Sequence, residues 1–110
     1  TKAAMENGDE WHSQLIDYLN DNISFAIDFI HKEMPKIRVH NPEATYMIWL
    51  NFKDYEISDD ELNRKMVFEA GLGLNSGHIF GKEGECCMRM NLACPRSVVM
   101  KALKQMKNVF

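Results

Sequence analysis

No apolar run in these 110 residues approaches the ~20 needed to span a bilayer as a helix. The first ten residues are polar and lack the apolar centre of a secretory signal. A soluble, non-membrane chain is therefore expected. Positive charge is also short: thirteen Lys and Arg stand against sixteen Asp and Glu, a net charge of −3. A nucleic-acid binder, which needs a basic face, is not expected. Cysteine is limited to Cys86, Cys87 and Cys94. The number is odd, two are adjacent, and the CxxC spacing of zinc and redox sites is missing. Reduced thiols in a cytoplasmic protein, with no metal site, are the reading. The four histidines (His12, His31, His40 and His78) fit neither HxxxH nor HExxH. Neither GxxxxGK[ST] nor GxGxxG occurs, and no Ser/His/Asp or Cys/His constellation can be argued from position. Repeats, low-complexity tracts and Gly/Ser linkers are missing too.

What remains is globular composition, 45% apolar and 26% charged. The length suits one core and leaves no room for two. The chain begins at Thr1 rather than at a start Met, which suggests a processed or excised piece. Residues 1–8 are expected to be a linker or a loose end, and residues 9–110 one domain.

Asn7 followed by Glu10 has the form of a capping box. Trp11, Leu15, Tyr18, Leu19, Ile23, Ala26, Phe29 and Ile30 then recur at spacings of three and four, predicting a helix of about six turns. Pro35 ends it. Ile37–Val39 could be a short strand, and Asn41-Pro42 signals a turn. Thr45–Phe52 is the clearest strand: Tyr46, Ile48, Leu50 and Phe52 share one face, Met47, Trp49 and Asn51 the other. Ser58 and Glu61 form a second capping box, opening a helix marked by Leu62, Met66 and Ala70 and closed by Gly71. Gly71–Leu74 reads as a short extended piece and Asn75–Gly84 as a loop. Cys86–Leu92 reads as a strand, and Pro95 opens a last helix striped by Val98, Val99, Ala102, Leu103 and Met106. The order α-β-β-α-β-β-α predicts an α+β fold, a small sheet of short strands packed by helices.

One residue stands out. Arg89 lies in the middle of a strand otherwise rich in Met, Leu and Cys. Alternation puts Met88, Met90 and Leu92 on the core face and Arg89 with Asn91 on the other. A guanidinium presents a planar fork that matches a carboxylate. Pattern alone nevertheless favours an ordinary strand arginine on a solvated face. The glycines at 77, 81 and 84 would let backbone approach a ligand, or would simply serve a connection.

Three stretches together carry a resemblance: Pro42-Glu43-Ala44-Thr45-Tyr46-Met47-Ile48-Trp49-Leu50-Asn51-Phe52, Gly71-Leu72-Gly73-Leu74-Asn75-Ser76-Gly77-x-x-Phe80-Gly81, and Met88-Arg89-Met90-Asn91-Leu92-Ala93-Cys94-Pro95-Arg96. They resemble the C-terminal small domain of class I/II aminotransferases, the fold-type I enzymes dependent on pyridoxal phosphate (PLP). The branch they most resemble is the cystathionine β-lyase (C–S lyase, MalY/PatB-like) group. The resemblance covers essentially the whole chain. It implies that Arg89 binds the α-carboxylate of an amino-acid substrate, and that Asn75–Gly81 lies near the active-site mouth. It further implies a large domain carrying the Schiff-base lysine and the phosphate cup, a homodimer of the full-length enzyme, and no cofactor held by this piece alone. None of the lysines here occupies the family's lysine position. The resemblance leaves lyase and aminotransferase undivided. A free-standing α+β module that binds a small acidic ligand or a protein, without chemistry, is the alternative.

Overall fold

A computed structural model describes all residues, Thr1–Phe110. It contains helices α1 (Lys2–Asn7), α2 (Asp9–Glu33), α3 (Asp59–Arg64) and α4 (Arg96–Lys107), and strands β1 (Met47–Asn51), β2 (Asn75–Ser76) and β3 (Cys87–Asn91). The strands form one antiparallel sheet in the order β1-β3-β2, so β3 is central. The α+β class follows as expected, with three strands where four were expected. Ile37–Val39 contributes only an isolated bridge, Arg38 to Asn51. The third strand lies at Asn75–Ser76 rather than at Gly71–Leu74, because a left-handed Gly71 (φ 69°) is still finishing the helix.

The start of α2 also differs from expectation. Asn7 closes α1, and Gly8 precedes α2 without any side-chain cap. The predicted Asn7 capping box does not form. A Cβ at Gly8 would stand 2.5 Å from the Ala4 carbonyl oxygen, so the tight α1–α2 junction requires glycine there. The loose end expected at residues 1–8 is thus largely helical, although α1 buries no residue.

The apolar stripe of α2 works only along its second part. Leu19, Ile23, Ala26, Ile27 and Ile30 are buried, whereas Trp11 is 68% exposed. The sheet is too short to cover a 25-residue helix, whose length of about 38 Å follows from 1.5 Å per residue. Pro35 acts as predicted: α2 stops at Glu33. Ser58 accepts a hydrogen bond from the Glu61 amide at 3.2 Å, as its capping box required. The Glu61 carboxylate turns instead to Arg64, 2.7 Å away. After Arg64 the helix widens into a π turn over Lys65–Glu69, which keeps Met66 and Ala70 facing inward. Pro95 precedes α4 by one residue instead of opening it.

Ile48, Leu50 and Phe52 from the β1 ribbon meet Met88, Met90 and Leu92 from β3, and α2 and α4 cover them with Ile23, Ile27, Ile30, Val99, Leu103 and Met106. Each such aliphatic side chain contributes about 1.5–3 kcal/mol on full burial. Helices therefore cover one sheet face. The opposite face carries Met47, Trp49, Asn51 and Arg89, none of which is buried, together with Cys87, which is buried against Gly77.

One ion pair links the ends of the two long helices. Lys107 Nζ lies 2.9 Å from Glu33 Oε2. Its hydrogen bond, and secondarily its charge, hold the Glu33 carboxyl below the usual carboxylate range. A carboxyl lowered by folding contributes stability above its unfolded pKa and loses it as pH falls through the folded value. The pair is open to solvent, so Glu33→Gln is expected to shift the melting temperature only slightly at pH 7, with the difference vanishing on acidification. Melting curves of both proteins at pH 7 and at pH 3 check this.

Candidate functional site

Strand register places Arg89 between two defined neighbours. Trp49 of β1 and Asn75 of β2 both stand directly opposite it. The three form one row across the sheet. Asn75 Oδ1 accepts a hydrogen bond from Arg89 Nη2 at 3.1 Å. Phe80 comes from the 3-10 turn Gly77–Phe80 that follows β2. The guanidinium carbon sits 4.7 Å from its ring centroid, and the same ring meets Trp49 edge-on, centroids 5.9 Å apart. Stacking on an aromatic face holds a guanidinium flat while leaving its in-plane donors directed outward.

No carboxylate pairs with Arg89 among the ion pairs of the chain. Its Nε is buried and has no hydrogen-bond partner. Other arginines of the chain do have acidic partners. Arg38 pairs with Asp54 at 2.9 Å, and Arg64 pairs with Glu61 and Glu69. The chain itself supplies Arg89 with an amide oxygen and an aromatic ring, and with no acidic partner.

Phe80 is placed by two local devices. Gly77 and Gly84 touch backbone to backbone: a Cβ on Gly77 would lie 2.2 Å from the Gly84 oxygen. This contact closes the neck of the loop between β2 and β3. Beside the neck, Asp59 at the start of α3 accepts the Cys86 amide through Oδ1 at 2.8 Å, while its Oδ2 meets His78 Nδ1 at 2.8 Å. Asp59 thereby ties the loop to α3. It also supports Cys86 in a left-handed conformation, φ 58°, which is uncommon for a residue with a side chain.

A groove of about 290 Å³ opens beside Trp49, lined by Arg38, His40, Asn41, Pro42, Met47 and Asn51 as well. It lies on the β1 side of the same sheet face. Of the thiols, Cys87 packs against Gly77 on the same face as Arg89. Burial first, and the nearby Asp59 charge second, push the Cys86 thiol up from its ordinary range. At neutral pH it is a weak nucleophile. Cys86 is therefore expected to react with a thiol reagent more slowly than free cysteine at pH 7.5, as a stopped-flow colour assay on single-cysteine variants would read.

Of the residues marked in the sequence, Arg89 is brought together with Trp49, Asn75 and Phe80. Asn75 and Phe80, flagged only as part of a loop near the active-site mouth, touch it. Trp49 had been placed on the correct face, but its register with Arg89 is a product of strand pairing.

This architecture, a three-stranded antiparallel sheet covered on one side by a long helix and a terminal helix, is that of the small domain in PLP-dependent aminotransferases and C–S lyases. A PLP-bound protein from Clostridium difficile 630, assigned to the aminotransferases, superposes with a TM-score of 0.95 at 42% identity, covering 97% of this chain and 28% of that one. A PLP-bound C–S lyase from Staphylococcus hominis, complexed with the inhibitor L-cycloserine, gives a TM-score of 0.86 at 32% identity over 99% of this chain and 29% of its own. Cystathionine beta-lyase PatB of Bacillus subtilis (strain 168) is 35% identical over 106 residues, 96% of this chain and 27% of the relative. The chain matches the C-terminal portion of PLP-dependent C–S lyases and aminotransferases, and spans about a quarter of the length of the curated relatives it matches. No protein-family model matches it. The resemblance read from the three sequence stretches is thereby borne out.

The side chains around Arg89 do not suffice to hold PLP. The partners of the guanidinium are an amide and an aromatic ring, and no amine stands among them to form the covalent link. Those groups belong to the remainder of such an enzyme.

Proposed function

We propose that this chain is the substrate-closing small domain of a PLP-dependent C–S β-lyase of the cystathionine or cysteine type, in which Arg89 binds the α-carboxylate of the amino-acid substrate. The observation that carries the assignment is a stacked, half-buried guanidinium in the central row of an open sheet face with no acid beside it. Residues 9–110 act as one domain in this reading, and residues 1–8 lead into it. The cofactor supplies the electron sink from the rest of the enzyme. What Arg89 supplies is orientation: two parallel hydrogen bonds to a carboxylate fix the direction of the Cα substituents before any bond breaks. The curated relatives PatB and the Corynebacterium glutamicum protein, cystathionine beta-lyases at 35% and 33% identity, support the lyase reading; the 42% identical Clostridium difficile protein supports aminotransferase as the second reading.

Pyruvate release from L-cystathionine by the full-length enzyme, without any keto acid added, is the expected activity. Turnover that requires a keto acid and yields a new amino acid would replace the lyase reading with the aminotransferase one. Arg89→Lys keeps the charge but loses the fork, and is expected to raise KM by about tenfold or more with a smaller fall in kcat. Unchanged kinetics would remove Arg89 from the site. The full-length enzyme is further proposed to be a cytoplasmic homodimer. Light scattering of the purified protein and fractionation of cells test those two statements.

A further inference from the structure

We propose that Asn75 is a positioning residue for Arg89, and that its being an amide rather than a carboxylate keeps the guanidinium available to substrate. The inference rests on the carboxylate-binding reading of Arg89 and goes one step further. Three observations carry it. Asn75 stands directly opposite Arg89 in the sheet. Its Oδ1 is the one side-chain acceptor that Arg89 reaches, at 3.1 Å from Nη2. The Phe80 ring, 4.7 Å from the guanidinium carbon, blocks one face of the fork.

A guanidinium has five donor hydrogens in one plane. The Phe80 ring packs over the guanidinium carbon, and the hydrogen bond to Asn75 holds Nη2 in place. Nε is buried, so the edge that contains it is closed to a ligand from solvent. The Nη1 hydrogens and the second hydrogen on Nη2 remain, and an incoming carboxylate is received there, end-on. The nature of the anchor then matters. A neutral amide oxygen orients the cation and leaves its charge uncompensated. A carboxylate at the same place would also orient it, but it would neutralise the charge and occupy the fork in competition with substrate. A β2 neighbour that is polar, short and uncharged meets both needs.

The distinguishing experiment uses the PLP-loaded full-length enzyme with Asn75→Ala, Asn75→Asp and Arg89→Ala, each checked for folding by its melting curve. Calorimetry measures Kd for L-alanine and for ethylamine, the same molecule without its carboxylate. Asn75→Ala is expected to weaken L-alanine by about tenfold, the size of one lost orienting hydrogen bond to a charged group. The nearly isosteric Asn75→Asp is expected to be worse, by about a hundredfold, because it adds a competing charge. Ethylamine binding should be the same in both variants as in the parent. A purely structural role predicts the opposite order, since aspartate fills the same space as asparagine and alanine does not. Asn75→Asp binding L-alanine as the parent does, while Arg89→Ala loses it, would overturn the positioning role and leave the Arg89 reading standing. Equal losses for L-alanine and ethylamine would also overturn it. Arg89→Ala without effect would instead remove the carboxylate reading itself, and this inference with it.

Discussion

Gly84→Ala is expected to lower the melting temperature by about 10–20 °C, the shift that ~3 kcal/mol produces in a domain of this size. A Cβ at this position would lie 2.0 Å from the Gly77 carbonyl oxygen and 2.5 Å from its carbon. The obstacle is backbone, and it cannot rotate away as a side chain would. Relief requires the loop neck to open, and an open neck carries Phe80 off Arg89. In the full-length enzyme proposed above, the variant is therefore also expected to bind amino acids more weakly, beyond what its lower stability explains. Gly73→Ala is the matched control: nothing lies within 4 Å of its Cβ direction and its φ is ordinary, so little change is expected. Melting curves of the two variants side by side decide the matter. A Gly84→Ala protein as stable as the Gly73→Ala protein would show that the Gly77–Gly84 contact is not a constraint on the fold.

The second large effect is expected at Asn22, the one polar residue buried in the core. Its Nδ2 donates to the carbonyls of Leu92 and Cys94, at 3.1 and 2.9 Å, and its Oδ1 accepts from Arg96 Nε at 3.1 Å. These bonds join α2 to the turn between β3 and α4, the segment that fixes where β3 ends. Asn22→Leu would fill the volume but leave the donor and acceptors unmatched in an apolar setting. The expected loss is about 2–4 kcal/mol, since each buried unsatisfied polar group costs ~1–3 kcal/mol. Urea titration followed by far-UV circular dichroism measures it. A loss below ~1 kcal/mol would mean that water replaces the amide at little cost.

Much of the site's foundation is legible in the residues themselves. The alternation in Met88-Arg89-Met90 assigns Arg89 to the face away from the core, because a strand has a period of two whatever its partners are. Ser58 is readable as a cap because the orphan amides of a helix start need a nearby oxygen. Asn22 leaves a trace as well. It lies three residues after Leu19 and four before Ala26, on the apolar stripe, so a polar residue at that spacing is a signal for a buried hydrogen-bonded group. The stripe itself overreaches, predicting burial at Trp11 as readily as at Ile30. Periodicity reports which side of a helix is apolar, and it carries no information on how far the partner surface extends.

Local sequence by itself determined the α+β class, the inward faces of β1 and β3, the stop at Pro35 and the candidacy of Arg89. Each of those depends on spacing along the chain or on the stereochemistry of a single residue. Tertiary structure decided the rest. The row Trp49–Arg89–Asn75 exists because antiparallel pairing brings together residues 40 and 14 positions away from Arg89, and the hydrogen bond and ring stack that set its guanidinium follow from that register. Pairing register depends on contacts between distant segments, so it emerges only once the chain has folded.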